Sequence, residues 1–348
     1  GIRLHENPKL MNKAFYASII DDEILNSAFA KVSKSADFTR LEKMMILALQ
    51  PIVEKSKDNL NSKTGLILST TKGNITALKN QTEQNLKSAQ LSELAKKVFS
   101  FLGFQTEPIV VSNACVSGIL AISVAKRLIQ SEIYDNIFIV AGDEVSEFVL
   151  SGFNSFQAIS DLPCKPYSKN RTGVTLGEAT TAVLVSANAK NSKVKIIGDA
   201  SINDANHISG PSRTGEGLFR SIKSAVEEAK INPNQIDYIS AHGTATPFND
   251  EMEGNAINRI GWENVPVNSL KGFYGQTLVA PGLLETVIGI ESALRNKLYF
   301  SMGLDETNLS QPIAIIEKNK NKEINYFLKT ASGFGGCNTA IVFEKVKL

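Results

Sequence analysis

The chain has 348 residues, of which 43% are hydrophobic and 21% charged, enough for one large core or two fused halves and unlike a disordered composition. Its 37 basic and 35 acidic residues leave a formal net charge of +2, so gross charge argues for neither nucleic acid nor an anionic membrane surface as a partner. Three cysteines without CxxC spacing, and only three histidines (His5, His207 and His242), argue against a disulfide framework or a metal site and fit a reducing cytoplasm. No apolar run approaches the roughly 18 residues of a membrane span. Residues 1 to 10 are polar and do not read as a signal peptide.

Along the chain, helix-like and strand-like segments alternate. Residues 38 to 54 place Leu41, Met44, Met45, Ala48 and Ile52 on one helical face. GLILST (65 to 70) reads as a short apolar strand, with a turn at Thr71-Lys72-Gly73-Asn74. A helix around 88 to 102, a strand at 108 to 112, an apolar helix from about 115 to 131 and a buried strand at 137 to 141 follow. The second half repeats the alternation with a helix at 215 to 230, a strand at 236 to 241, a long apolar helix at 277 to 296, and strands near 326 to 331 and 338 to 344. Such a succession implies stacked α/β layers with mostly parallel sheets. The polar tracts 55 to 64, 188 to 193 and 318 to 325 read as surface connections.

Two pairs of segments resemble each other at a separation of about 160 residues. GEATTAVLVSA (177 to 187) is similar to GGCNTAIVFEK (335 to 345), and the segment 113 to 131 is similar to 275 to 296. The spacing suggests a duplicated half rather than a solenoid, although apolar helices and strands also resemble one another by chance.

Four places carry candidate chemistry. Cys115 follows a strand and opens a helix, where unpaired N–H groups and the helix dipole favour a thiolate. A buried Cys packing as a small hydrophobe is the commoner arrangement. Gly118 would let a substrate or another backbone come close. His242 lies in SAHGTATPFND, after a strand end, with Thr244 and Thr246 beside it; loops at strand C-termini are where α/β sheets place chemistry. Lys271 and Gln276 lie in LKGFYGQT, with Glu285 on the next helix. A glutamine can donate hydrogen bonds but cannot take up a proton. SGFGGCNTA surrounds Phe334 with glycines, which permit a movable ring or simply a turn.

NACVSG (113 to 118), KPYSKNRTGVTLGE (165 to 178), AHGTATPFNDEME (241 to 253), KGFYGQT (271 to 277) and SGFGGCN (332 to 338) occur in this order. Together they resemble the signatures of the type II β-ketoacyl-acyl-carrier-protein synthases. The resemblance implies a thiolase-like fold, five-layered αβαβα, with two pseudo-duplicated halves, here residues 1–190 carrying Cys115 and 191–348 carrying His242, Lys271 and Gln276. It implies that Cys115 is the acyl-accepting nucleophile, that His242 is the first active-site histidine, and that Lys271 and Glu285 are a supporting ion pair. Phe334 resembles the gating aromatic, its N–H and that of Cys115 the oxyanion hole, and Thr244 and Thr246 the hydroxyls that hold phosphopantetheine. No cofactor or metal is implied beyond the phosphopantetheine of an acyl carrier protein.

Two departures stand out. Gln276 occupies the place of the family's second histidine. The usual first strand with its Gly-rich turn is not recognisable in residues 1 to 30. The expected activity is decarboxylative condensation of malonyl units onto an acyl group held by Cys115, in a fatty acid, polyketide or aryl-polyene pathway, by a homodimer. The alternative is a chain-length-factor-like subunit of a heterodimer. A degradative thiolase would need a second catalytic Cys, and Cys337, its only candidate, lies on the wrong side of the GFGG turn. Docking of an acidic carrier would need a local basic patch, for which Lys72, Lys126, Arg127 and Arg220 are available.

Overall fold

Period-two alternation in the strands divides their side chains between separate cores. A computed structural model describes the chain except Asp58, Asn59, Gln81, His207, Lys347 and Leu348; Asp58 and Asn59 of the expected connection 55 to 64 therefore lie outside the described residues. In β1 (Thr64–Ser69), Leu66 and Leu68 enter an outer core with Leu41, Met45 and Leu94. Ile67, between them, enters a central core with Ile119, Leu283 and Phe327. Both faces are covered, which is why this strand reads as a continuous apolar run.

The first sheet adds β2 (Ile109–Val111), β3 (Asn136–Asp143) and β4 (Ala179–Ser186), in the order β2-β1-β3-β4. The first three are parallel and β4 runs antiparallel to β3. The second sheet contains β5 (Val194–Asn203), β6 (Tyr238–Ser240), β7 (Val267–Asn268), β8 (Tyr326–Gly333) and β9 (Cys337–Lys345), in the order β7-β6-β8-β9-β5. Here β7, β6 and β8 are parallel, and β9 is antiparallel to both neighbours. The sheets are thus parallel at the centre and antiparallel toward one edge, not parallel throughout.

The two orders superimpose: β2-β1-β3-β4 repeats as β7-β6-β8-β9. The similar segments 177–187 and 335–345 are the antiparallel strands β4 and β9, in equivalent places. The second sheet carries β5 beyond β9, whereas among the described residues no strand pairs with β4 on its far side. The strands Arg3–His5 and Phe15–Ser18 instead join Leu176–Gly177 in a separate small sheet.

Helices complete the layers. On the outside of the first sheet lie α1 (Arg40–Glu54), started by a capping box between Thr39 and Glu42, and α2 (Leu91–Leu102), stopped by left-handed Gly103. Between the sheets lie α3 (Ser117–Gln130) and, later in the chain, the helix Ala280–Arg295. After β3 comes α4 (Glu147–Ser155). Outside the second sheet lie α5 (Glu216–Ala229) and α6 (Pro247–Arg259), whose Leu218, Ile222, Met252 and Ile257 pack on Ile239, Leu328 and Val342. The short α7 (Lys271–Tyr274) precedes α8 (Ala280–Arg295).

The central helices α3 and α8 touch through glycines. A Cβ on Gly118 would come within 2.6 Å of the Val279 carbonyl, and one on Gly282 within 2.7 Å of the Ile119 amide. The close approach expected of Gly118 is therefore to a second helix. It brings the two helix starts, one from each half, to a common point. Gly118→Ala must push α3 from α8; overpacking of this kind costs about 1–3 kcal/mol, and a lowered thermal melting midpoint is the expected result.

Candidate active site

Cys115 lies on the tight turn between β2 and α3. Ala114 just before it has φ +42°, a region that side chains rarely adopt. Ser117 holds this turn: its hydroxyl accepts from the Asn113 amide at 2.7 Å and donates to the Ala114 carbonyl at 2.6 Å. Cys115 stands two residues before α3 begins and is partly exposed. Burial pushes its thiol up from the ordinary cysteine range, against the pull of the Lys72 charge, a Gln276 hydrogen bond, the Lys271 charge and the Phe334 N–H. The helix start therefore does not yield a low-pKa thiol in this structure, contrary to the sequence-based expectation, because desolvation outweighs the nearby positive groups.

His242 follows β6, on a loop fastened by two acids of α6. The amides of His242 and Gly243 donate to Glu253 at 2.7 and 2.5 Å. Those of Thr244 and Ala245 donate to Asp250 at 2.9 and 3.2 Å. Tyr167 locks both acids from the other side, through its amide to Asp250 (2.7 Å) and its hydroxyl to Glu253 (2.9 Å). Burial pushes the Asp250 carboxyl up to about 7. His242 itself is driven well below the ordinary histidine range, by burial first and then by the charges of Lys271 and Lys329. It is a neutral imidazole at physiological pH. Its Nδ1 is buried without a hydrogen-bond partner among the described residues.

Lys271 and Glu285 form the expected pair, 2.7 Å apart and both buried. The Lys271 ammonium also donates to the His242 carbonyl, so the pair stands behind the histidine rather than in the cavity. Gln276 precedes α8 by four residues. Its backbone bridges to Thr175 and Gly177 (2.7 and 3.0 Å), which ties it to the GE motif. Its side-chain amide lines the same cavity as Cys115 and pulls the thiol toward its charged form, while its Oε1 is buried and unpartnered among the described residues.

The glycine-flanked Phe334 completes the site. A Cβ on Gly333 would stand 3.0 Å from the Cys115 amide, so glycine eases the close approach of this loop to the cysteine. The Phe334 N–H pulls the Cys115 thiol toward its charged form. Its ring sits 5.7 Å from Phe153 and 5.5 Å from Phe156, centroid to centroid. A cavity of about 450 Å³ is lined by Cys115, His242, Thr244, Thr246, Gln276 and Phe334, among others. The two threonine hydroxyls are hydrogen-bonded to each other at 2.9 Å.

The sequence reading missed several members. Phe153 and Phe156 come from α4 and its end, where no motif was visible. Asp250 and Glu253 were within a quoted motif but without a role. Lys329 was recognisable as a charge inside an otherwise apolar strand, YFLKTASG, a position that demands a partner. Two of the four basic residues considered for carrier docking are held by acids of the second half. Lys126 is buried between Asp199 (2.9 Å) and Glu228 (2.6 Å), and Arg127 also pairs with Asp199. Among the described residues no cluster of three or more His, Cys, Asp or Glu could hold a metal. No helix among them is long and apolar enough to cross a membrane.

Residues 15–191 match the model of the β-ketoacyl synthase N-terminal domain, and residues 194–299 that of the C-terminal domain. The chain belongs to the β-ketoacyl synthase family. A relative is the 3-oxoacyl-[acyl-carrier-protein] synthase 2 of Staphylococcus aureus, 28% identical over 250 residues; the match takes in 67% of this chain but only 60% of that protein. Among solved structures, a ketosynthase in complex with its chain length factor from Xenorhabdus doucetiae superimposes with a TM-score of 0.86 at 22% identity, over 99% of this chain and 90% of that one. A type II polyketide ketosynthase in complex with its acyl-carrier protein gives 0.82 at 22% identity, over 88% and 85%. These structural likenesses establish the shared thiolase-like fold.

Proposed function

We propose that this β-ketoacyl synthase family chain is a condensing acyltransferase in which Cys115 accepts an acyl group from acyl carrier protein and a malonyl-derived unit extends it. One observation carries the reading: Cys115, His242, Gln276 and the Phe334 N–H, from distant parts of the chain, converge on one cavity. On this reading residues 1–190 contribute the nucleophile and residues 191–348 the decarboxylation groups.

In the first half-reaction the Cys115 sulfur attacks the acyl thioester. The oxyanion of the tetrahedral intermediate is held by the N–H groups of Cys115 and Phe334. Collapse expels the carrier thiolate, which takes the proton that Cys115 loses, so the step begins and ends with a neutral thiol. That suits a thiol whose pKa burial has raised. In the second half-reaction malonyl thioester binds, with its phosphopantetheine arm near Thr244 and Thr246. Its C–C bond breaks to release CO2, leaving an enolate. Neutral His242 and the Gln276 amide can both donate to the enolate oxygen. The enolate carbon then attacks the Cys115 thioester, forms the new C–C bond and breaks the C–S bond, and the Cys115 thiolate that leaves takes a proton from water to regenerate the neutral thiol. Phosphopantetheine on the carrier is the only prosthetic group the reaction needs, and a cytoplasmic setting suits three free cysteines.

The test is intact-mass analysis of the protein after incubation with acyl-carrier proteins of several chain lengths. An acyl adduct mapped to Cys115, discharged on adding malonyl-carrier protein, is expected. An unmodified Cys115 in folded protein would overturn the reading. Gln276 favours a second one, in which this chain is the chain-length-factor-like partner in a heterodimer with a complete synthase, as in the Xenorhabdus pair. Product formation by the purified homodimer would decide against it.

A further inference from the structure

Lys329 is a lysine in the middle of the second sheet with no exposed surface. It stands on β8 opposite Ser240 of β6. Its ammonium donates to the carbonyls of Ser240 (3.1 Å), Ala241 (3.3 Å) and Thr330 (2.5 Å), and pairs with Glu285 Oε2 at 2.8 Å. Lys271 takes the other oxygen of the same carboxylate and the next carbonyl, that of His242. Three successive carbonyls, 240, 241 and 242, are therefore covered by two ammonium groups bound to a single carboxylate. The chain here leaves the sheet for the histidine loop. These ammonium groups supply buried donors where the strand ends, and a buried carbonyl without a donor costs free energy.

We propose that Lys329 is a positioning residue for His242: its ammonium ties the end of the histidine-bearing strand to Glu285 and sets a second positive charge behind the imidazole. The inference rests on the role given to His242 above. The titratable groups around the histidine are Lys271 from α7, Glu285 from α8, Lys329 from β8, Glu253 and Asp250 from α6, Tyr167 from the 165–171 segment, and Cys115 across the cavity. Lys271 and Lys329 are the cations among them. Both disfavour a third positive charge on His242. An imidazolium would pair with the malonyl carboxylate that has to leave.

The sign of the effect follows directly. Removing the Lys329 charge makes His242 easier to protonate, so its titration moves to higher pH. Activity that needs neutral His242 is then lost sooner on acidification. The test compares the wild type with Lys329→Gln, which keeps hydrogen-bond donors but no charge, and Lys329→Met, which removes both. Imidazole NMR of the full chain follows His242, assigned by the signal lost in His242→Asn. About a tenfold rise in the proton affinity of His242 is expected in Lys329→Gln, since a unit charge at close range in a protein shifts a pKa by a unit or more. The acid limb of malonyl-carrier-protein decarboxylation is expected to move to higher pH by the same amount. An unchanged His242 titration in folded Lys329→Gln overturns the proposal, as does loss of the cooperative melt in both variants, which would make the lysine purely structural. A wild type that binds malonyl-carrier protein without decarboxylating it, yet shows the NMR shift on substitution, overturns the functional reading and leaves the placement of Lys329 standing.

Discussion

Replacing Cys115 with alanine is expected to abolish the acyl adduct and all condensation while leaving malonyl decarboxylation measurable. The two half-reactions use different groups. Acyl transfer needs the sulfur, and the structure supplies no substitute: Cys337 is turned toward Asn113, with its sulfur 2.9 Å from Oδ1, and Cys164 is buried against the Lys271 carbonyl at 3.2 Å. Decarboxylation needs donors for the enolate oxygen, and His242 and Gln276 remain. Intact-mass analysis with acyl-carrier protein checks the first half. Release of CO2 from malonyl-carrier protein checks the second. The variant should fold as well as the wild type, because Cys115 faces the cavity and the Ala114–Ser117 turn is held by Ser117 rather than by the sulfur. An adduct that persists on the alanine variant would move the acyl site elsewhere.

The legible parts of this molecule are those whose physics is local. β1 and β3 are buried on both faces, so they show as apolar runs in the sequence. α1 shows through its heptad-like apolar face and its Thr39 cap. The positive-φ turn before Cys115 and the glycines around Phe334 are local demands as well, and they fall in short motifs. Duplication was visible as two weakly similar pairs, and it became firm only as a repeated strand order. What the sequence hid is long-range. Phe153 and Phe156 meet Phe334 across about 180 residues, and no spacing rule connects them. The orientation of Gln276 depends on Thr175 and Gly177, a hundred residues earlier. The thiol pKa went wrong for the same reason. A helix start is a local feature, but desolvation comes from everything packed above it, and here it is the larger effect. Lys126 looked like a surface cation because the acids that bind it, Asp199 and Glu228, are supplied by β5 and α5.

Gln276→Ala is expected to lower malonyl decarboxylation by about 10²–10³-fold, the usual cost of one donor to a developing oxyanion in a dry site. Acylation of Cys115 should fall much less. The amide favours the charged sulfur, so its loss raises the thiol pKa further, and the limb of the acylation profile that rises as the thiolate forms moves to higher pH. Gln276 does not ionise, so the acid limb of decarboxylation should carry a single histidine ionisation, that of His242. Gln276→His distinguishes the two functional readings. If the wild-type chain is a competent synthase, its amide already donates, and histidine changes the decarboxylation rate by no more than a few-fold. If the wild-type chain is the inactive member of a heterodimer because of this position, histidine should raise the rate of the isolated chain by about the 10²–10³ that a second donor contributes. Stopped-time assays of CO2 release on the wild type and both variants, at one pH below and one above the His242 titration, separate the outcomes. Equal rates in wild type, Gln276→Ala and Gln276→His would remove Gln276 from the chemistry. Its side chain would then serve only to shape the cavity beside Cys115.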